Sequence, residues 1–281
     1  MPLLLIVSVI WALSFGLTAS VSGLGAPFVT AVRTLLAALV FLPFVEVKGL
    51  SRRQVWTFVG IGALQFGLMY LLYIASFNWL RPSEVALFTI FTPLFVTLAD
   101  DLLEKRFSWL FLGAAALAVV GTGICVWTGL GRTGFVRGFL LMQGANLCFA
   151  LGQVFYRRVA PASGKRDLDL MGLLYLGAAG VAVAMAAPSV PWEKVRAMDL
   201  RQMAVLVYLG GVASGLGFFL FNAGARRTDI GTLAIFNNMK IPLAILASGL
   251  VFGDPVDWPR LAVGGLVIAG AFGLAGLGKR S

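Results

Sequence analysis

A single lysine in the middle of a long apolar run is the residue best suited to chemistry in this sequence. Lys240 lies within Phe236-Asn237-Asn238-Met239-Lys240-Ile241-Pro242. A lysine at the centre of a bilayer costs about 2.5–3.5 kcal/mol on insertion scales, so it needs a partner or a watery cavity. Pro242 donates no hydrogen bond to the preceding turn, which leaves polar backbone beside the charge. We expect Lys240 to attract a carboxylate or another anionic ligand group; the alternatives are a buried ion pair or a snorkelling lysine.

Other polar side chains recur with helical spacing in apolar segments, as in Gln143, Asn146 and Gln153, or Trp11 and Ser14. A polar stripe on an apolar helix is expected to face the interior of a bundle. Hydrogen bonding between helices is the alternative role. The candidate ligand-binding residues are Trp11, Ser14, Phe15, Gln65, Tyr73, Thr89, Phe91, Gln143, Asn146, Gln153, Ser214, Asn222, Phe236, Asn237, Asn238 and Lys240.

Several charged residues and prolines are candidates for a structural or gating role. Arg33 and Glu84 fall on the same side of the predicted membrane, where we interpret them as an ion pair. Asp101 and Glu104 belong to a cluster of charges at the end of one apolar run. That cluster indicates a charged helix end among lipid headgroups, with a gate as the alternative. The remaining candidates of this kind are Pro93 and Pro242.

The composition excludes several classes of protein. The 281 residues are 59% hydrophobic and 12% charged, whereas soluble domains carry about 25% charged residues. The sequence contains no histidine and two cysteines, which argues against a metal site, a disulfide framework or a Ser-His-Asp hydrolase. The net charge of +10 comes from basic residues scattered in short loops, which indicates membrane topology rather than nucleic-acid binding. We expect no cofactor, and we regard a membrane enzyme as unlikely.

The pattern of apolar runs predicts an all-α integral membrane protein with ten spans, because about 20 apolar residues cross a bilayer as a helix. Thirteen lysines and arginines fall on the N-terminal side of these spans against seven on the other side. This bias predicts that both termini are cytoplasmic. The predicted spans are 2–20, 27–45, 55–77, 83–100, 107–128, 138–158, 168–187, 202–224, 230–252 and 259–277.

The sequence contains a repeat with an offset of 149 residues, which relates the stretches 86–121 and 235–270. Pro93 then falls on Pro242, whereas Phe91 falls on Lys240. Ten spans in two copies give five helices per copy, 1–131 and 132–281. Five is an odd number, so the second copy must be inverted relative to the first. Inverted repeats are typical of carriers that work by alternating access; a channel is the alternative.

Four short motifs along the chain are the basis of a family resemblance. Trp11-Ala12-Leu13-Ser14-Phe15 is similar to the pattern W-G-x-x-F, with alanine in place of glycine. Arg33-Thr34-Leu35-Leu36-Ala37 is similar to R-x-x-x-A. Pro93 with Glu104-Lys105-Arg106-Phe107-Ser108 is similar to a proline and E-R-x-S, and Pro242 with Gly253-Asp254 is similar to a proline and G-E. Over nearly the whole chain, the sequence thus resembles the EamA-type members of the drug/metabolite transporter superfamily.

This resemblance implies a secondary transporter of the inner membrane, often an exporter, for small metabolites such as amino acids or other carboxylate-bearing compounds. Nucleotide sugars, phosphorylated sugars and drugs are the alternative substrates within the superfamily. The expected partners are a small-molecule substrate, the lipid bilayer and a proton or counter-substrate, but not a nucleic acid. The protein is expected to be a monomer or a homodimer.

Overall fold

A computed structural model describes residues 2–105, 132–225, 230–253 and 257–277, with a few isolated positions between them. The described residues form helices and connecting turns, with no β-strand among them. The predicted fifth span, 107–128, lies largely outside the described residues. The prediction of an all-helical protein is therefore confirmed for the part of the chain that can be seen.

Nine long helical segments run through the described ranges. The first seven are long and apolar enough to cross a membrane. The last two are helices of 22 and 20 residues at the predicted ninth and tenth spans. The segments are α1 (Pro2–Val21), α2 (Ala26–Phe41), α3 (Arg52–Ser76), α4 (Pro82–Glu104), α5 (Phe135–Val159), α6 (Asp167–Ala186), α7 (Leu200–Gly224), α8 (Ile230–Val251) and α9 (Trp258–Leu277).

The same capping device begins α3 and α7. The Ser51 hydroxyl accepts the Gln54 N–H, and the Gln54 side chain accepts the Ser51 N–H in return. Asp199 and Gln202 make the equivalent pair of hydrogen bonds before α7. Such a capping box satisfies N–H groups that have no partner inside the helix. It fixes where each of these two membrane helices starts.

Three irregular turns interrupt the membrane helices near mid-span. A π-helical turn occupies Ala63–Leu68 in α3, and a second one occupies Tyr208–Leu216 in α7. In α4, a 3₁₀ turn at Thr89–Phe91 comes just before Pro93. Proline has no N–H for the ladder, and its ring crowds the carbonyl four residues earlier, so the helix tightens there. These turns leave backbone carbonyls for side-chain donors inside the bundle.

Glycines allow α3 and α6 to approach to backbone contact. A β-carbon added at Gly62 would lie 1.8 Å from the Leu174 carbonyl oxygen, and one at Gly177 would lie 1.9 Å from the Val59 carbonyl oxygen. No side chain fits in either place. Close approach through small residues is a common basis of helix association in membranes.

The first four helices pack mainly against helices from the second part of the chain. Helix α1 contacts α8 and α7, and α2 contacts α6 and α7. Helix α3 contacts α5 and α6, and α4 contacts α5 and α8. The hydrophobic core is therefore shared between the two parts of the chain.

Candidate functional site

A cavity with about 540 Å³ of empty space lies among seven of the helices. Its walls are mainly aromatic and aliphatic, with a few polar groups and two cationic side chains, Arg33 and Lys240. No aspartate or glutamate is among the described residues of its lining. These residues are Trp11, Ser14, Phe15, Arg33, Met69, Tyr70, Tyr73, Thr89, Thr92, Met142, Ala145, Asn146, Phe149, Phe218 and Lys240.

Lys240 lies in this cavity against the face of Trp11. Its side chain is 6% exposed, and its Nζ lies 4.8 Å from the centroid of the Trp11 ring. An ammonium at this distance is attracted by the negative face of an indole. The Trp11 Nε1 donates a hydrogen bond of 2.9 Å to the Ala213 carbonyl, which belongs to the π turn of α7. The indole that holds Lys240 is thus itself anchored on the irregular turn.

Arg33 is buried at the same cavity and is bonded to three hydroxyl groups from three other helices. Its side chain is 2% exposed. Its Nε lies 3.1 Å from the Ser214 Oγ, and its terminal nitrogens lie 3.0 Å from the Thr18 Oγ1 and from the Tyr70 hydroxyl. The guanidinium carbon also lies 4.1 Å from the centroid of the Tyr70 ring. These groups orient the arginine without neutralising it.

The hydroxyl groups around Arg33 form a chain with one direction of donation. The Ser214 hydroxyl donates to the Leu209 carbonyl at 2.7 Å, so its only proton is used. The Tyr70 hydroxyl, 2.8 Å from the Ser214 Oγ, must therefore be the donor of that pair. Both oxygens then accept N–H groups of Arg33. The chain ends on the π turn of α7, which supplies the Leu209 carbonyl.

Asn146 on α5 satisfies the irregular backbone of α4. Its Nδ2 donates to the Phe88 carbonyl at 2.8 Å, and its Oδ1 accepts the Thr92 hydroxyl at 3.1 Å. The amide also donates to the Gln143 Oε1 at 3.2 Å. Asn146 therefore joins two helices at the level of the 3₁₀ turn and borders the cavity as well.

The structure brings seven of the sixteen predicted ligand-binding residues to one cavity. These are Trp11, Ser14, Phe15, Tyr73, Thr89, Asn146 and Lys240. The side chains of Phe236, Asn237, Asn238 and Pro242 lie outside the described part of the structure.

The other predicted ligand-binding residues lie away from the described lining. Phe91 packs edge-on against Phe139, with ring centroids 6.1 Å apart. The Asn222 amide lies 3.6 Å from the Met171 sulfur. Gln65 is fully buried at the close contact with Gly152, and Gln153 is buried on α5. Gln143 and Ser214 support the site through Asn146 and Arg33.

The predicted ion pair between Arg33 and Glu84 is wrong. Arg33 is bonded to hydroxyl groups inside the bundle. Glu84 caps the start of α4, where its carboxylate accepts the Arg81 N–H at 2.8 Å and forms an ion pair with Arg132. A glutamate in the first turn serves the free N–H groups of its own helix end, and this local role prevails over the longer-range pairing.

The acidic cluster at the other end of α4 is bonded to α5. Arg158 lies 2.7 Å from the Asp100 carboxylate and 3.5 Å from that of Glu104. Asp101 lies on the same turn of helix. All the groups of this ion pair are about one-third exposed, which fits a charged helix end. Pro93 lies one residue after Thr92 in the irregular part of α4.

Sequence reasoning missed several residues of the lining. Arg33 and Tyr70 are the most important, because they are polar residues of the lining that are held by hydrogen bonds to Thr18 and Ser214. Tyr70 is three residues from Tyr73, so both lie on one face of α3. This spacing could have identified Tyr70 as a lining residue from the sequence.

The model of the EamA-like transporter family matches this chain twice, over residues 1–127 and 136–276. The chain belongs to the EamA-like transporter family. The resemblance read from the sequence motifs is thereby confirmed. As a member, the protein is a multi-pass membrane transporter of a small molecule and not an enzyme.

Curated relatives of this EamA-family chain cover nearly all of its length. One from Pseudomonas aeruginosa, named "Probable biotin transporter", is 41% identical, with 100% of this chain and 99% of the relative aligned. One from Escherichia coli, named "Biotin transporter", is 38% identical, with 95% of this chain and 90% of the relative aligned. A solved crystal structure has a TM-score of 0.70 at 20% identity and covers 99% of this chain and 98% of its own; it supports the fold alone.

Proposed function

We propose that this EamA-family protein transports biotin or a closely similar carboxylate-bearing molecule through the central cavity. The observation that carries the proposal is a cavity with two cationic side chains and aromatic walls, whose described lining contains no acidic residue. The names of the relatives agree with that chemistry. The expectation of an amino-acid substrate has no such support, and biotin replaces it here.

The chemistry of biotin suits the surfaces of this cavity. Biotin has one carboxylate on a flexible apolar chain, and a bicyclic ring system with a polar ureido edge. The positive charge of Arg33 and Lys240 favours the carboxylate in a site lined mainly by apolar side chains. The rings of Phe149 and Phe218 offer apolar contact to the chain and rings. The Asn146 side chain borders the cavity and offers a polar contact to the ureido edge.

The transport cycle in this proposal is alternating access between two inverted repeats of five helices, 1–131 and 132–281. Two features support the repeat. The family model matches each part of the chain separately. The helix contacts also keep their pattern when α1 to α4 are exchanged in order with α5 to α8, because α1–α8 becomes α5–α4 and α2–α7 becomes α6–α3. Two near-equivalent packings around one site are what alternating access requires.

The orientation and direction of transport complete the proposal. The loop charges favour cytoplasmic termini in the inner membrane. The names of the relatives give no direction, so the expectation of export stays a prediction. A carrier with a two-sided site moves its substrate down the total gradient, with or without a proton or counter-substrate. The vesicle assay described next measures both the direction of transport and its dependence on a proton or counter-substrate.

The test is counterflow of radiolabelled biotin in proteoliposomes that contain the purified full-length chain. Vesicles preloaded with unlabelled biotin should accumulate label transiently, and unlabelled biotin outside should saturate the uptake. Amino acids at the same concentration should not compete. A channel gives no counterflow, so that outcome would favour the channel alternative. Accumulation of label in vesicles preloaded with an amino acid, but not in vesicles preloaded with biotin, would refute the proposed substrate.

A further inference from the structure

We propose that Arg33 is the residue that binds the carboxylate of the substrate directly, and that it sets the preference of the cavity for acids over neutral analogues. This inference rests on the proposed transport of biotin or a similar acid. It differs from the expectation drawn from the sequence, in which Lys240 holds the anion.

The environment of Arg33 provides hydrogen bonds but no counter-charge. Its partners Thr18, Tyr70 and Ser214 are neutral hydroxyl groups, and no carboxylate is paired with it among the residues that the structure describes. A buried cation without an anion is strongly unfavourable, because hydroxyl dipoles replace only part of the lost hydration. A carboxylate that enters the cavity would complete an ion pair that the described protein groups leave incomplete.

The geometry of Arg33 leaves donors for that carboxylate. A guanidinium has five N–H groups. The Nε group bonds to Ser214, and one group on each terminal nitrogen bonds to Thr18 or Tyr70. One N–H on each terminal nitrogen is therefore left at a side chain that borders the cavity. Two donors on a planar fork match the two oxygens of a carboxylate, and such charge-assisted bidentate pairs are about twice as strong as neutral hydrogen bonds.

Arg33 is also held in place before any ligand arrives. The hydroxyls of Tyr70 and Ser214 both accept from it, and the chain of donation ends on the Leu209 carbonyl. The Tyr175 hydroxyl donates to the Ser214 carbonyl at 2.6 Å, which fixes the same turn from α6. A long side chain held by hydrogen bonds loses less rotamer freedom when it binds a ligand.

Lys240 has a different relation to the cavity. Its ammonium lies over the Trp11 ring, and it is a compact charge that imposes no bidentate geometry. We assign to it a general attraction for anions, which acts on a carboxylate wherever the carboxylate lies in the cavity. The two cations thus have separable effects. Arg33 governs the preference for a carboxylate over an amide, whereas Lys240 raises affinity and supports turnover.

The experiment compares biotin with biotin amide, which is neutral and nearly the same in shape. Each is titrated against purified full-length protein by calorimetry, for the native chain and for Arg33→Gln, Arg33→Lys and Lys240→Gln. The native chain should prefer biotin by about tenfold or more. Arg33→Gln should abolish this preference and leave affinity for the amide within about threefold of the native value, because only the acid uses the fork. Lys240→Gln should retain a clear preference for biotin.

Several results would overturn the assignment. One is a full preference for biotin in Arg33→Gln. Another is an equal loss of biotin and amide in that variant, because Arg33 would then be structural. A third is loss of the preference in Lys240→Gln alone. If Arg33→Gln fails to fold, Arg33→Lys decides, since it keeps the charge without the fork and an undiminished preference would contradict a bidentate contact. A native chain that binds neither compound would instead refute the proposed substrate.

Discussion

The helix pair α4–α5 is fastened by charged side chains at both ends, whereas α1 and α8 together contain a single charged side chain. Glu84 pairs with Arg132 at one end of α4–α5, and Asp100 pairs with Arg158 at the other. Helix α1 contains no charged residue, and Lys240 is the single charged residue of α8. In the proposed inverted repeat, these two pairs are counterparts of each other.

This difference indicates that the two counterpart pairs of the proposed repeat have different roles during transport. Ion pairs and the Asn146 hydrogen bonds resist sliding of α4 on α5, because any shift leaves polar groups without partners. Apolar surfaces slide at much lower cost. We therefore expect α4–α5 to move as one rigid unit and α1–α8 to rearrange around Lys240 and Trp11 during transport.

The largest effect on transport should come from the pair α1–α8. Lys240→Ala removes the charge on α8 that faces the cavity, so counterflow of biotin should fall to the level of empty liposomes while the protein still inserts and elutes as a single species. The matched control is Leu246→Ala, a half-exposed residue of the same helix, which should transport normally. Normal counterflow by Lys240→Ala would show that transport does not require the positive charge on α8.

A smaller effect, on stability, should come from a substitution in the middle of the pair α4–α5. Asn146→Ala leaves the Phe88 carbonyl and the Thr92 hydroxyl without their partner, which should lower the free energy of unfolding by about 1–3 kcal/mol. Thermal unfolding in detergent measures this loss. Leu147→Ala, at an exposed neighbour, is the control and should change little. Equal stability of the two variants would mean that the Asn146 hydrogen bonds do not hold α4 to α5.

The end of the pair near Glu84 should contribute less. Glu84→Gln keeps an oxygen for the Arg81 N–H and removes the charge, so it should cost about 1 kcal/mol. Arg132→Gln should cost a similar amount, and the double variant should cost no more than either single one. Additive losses would indicate that the two residues stabilise the protein separately.

The smallest effect is expected at the exposed end. Arg158→Gln should lower stability by about 0–1 kcal/mol, because its partners Asp100 and Glu104 are partly in water. The loss should shrink when the salt concentration is raised, since ions screen exposed pairs. Thermal unfolding at low and high salt tests this. A loss that is independent of salt would place the pair in a drier environment than its exposure indicates.

Much of the fold followed from the sequence, because membrane helices obey length and hydropathy. The apolar runs predicted the helices, and Lys240 at mid-span predicted a cavity that binds an anion; the structure places Lys240 in a cavity against Trp11. The irregular turns were not predicted. The carbonyls of the π turn Tyr208–Leu216 accept hydrogen bonds from Trp11 and Tyr175, which lie on other helices. The local sequence of the turn does not predict donors that are so distant in the chain.

The polar wall of the cavity was harder to foresee than its lysine. Arg33 has an obvious acidic candidate on its side of the membrane, Glu84, but the structure pairs it with hydroxyls from α1, α3 and α7. Hydroxyl groups are common and uncharged, so the sequence contains no complementarity to detect. Gln65 was predicted to contact the ligand because it is a polar residue in an apolar segment. In the structure it is fully buried, and its amide has no hydrogen-bond partner among the described residues.

The hydrogen bond between Arg33 and Ser214 joins residues that are 181 positions apart, and this has a consequence for biosynthesis. The ribosome delivers α2, with its charged guanidinium, long before α7 exists. Until then Arg33 has neither the Ser214 hydroxyl nor the Leu209 carbonyl that ends its hydrogen-bonded chain. Before α7 is made, Arg33 can bond only to Thr18 and Tyr70 among its partners, so we expect α2 to reach its final place in the bundle only after α7 has been inserted. A chain that stops before α7 would therefore keep a buried arginine that lacks one of its hydrogen-bond partners.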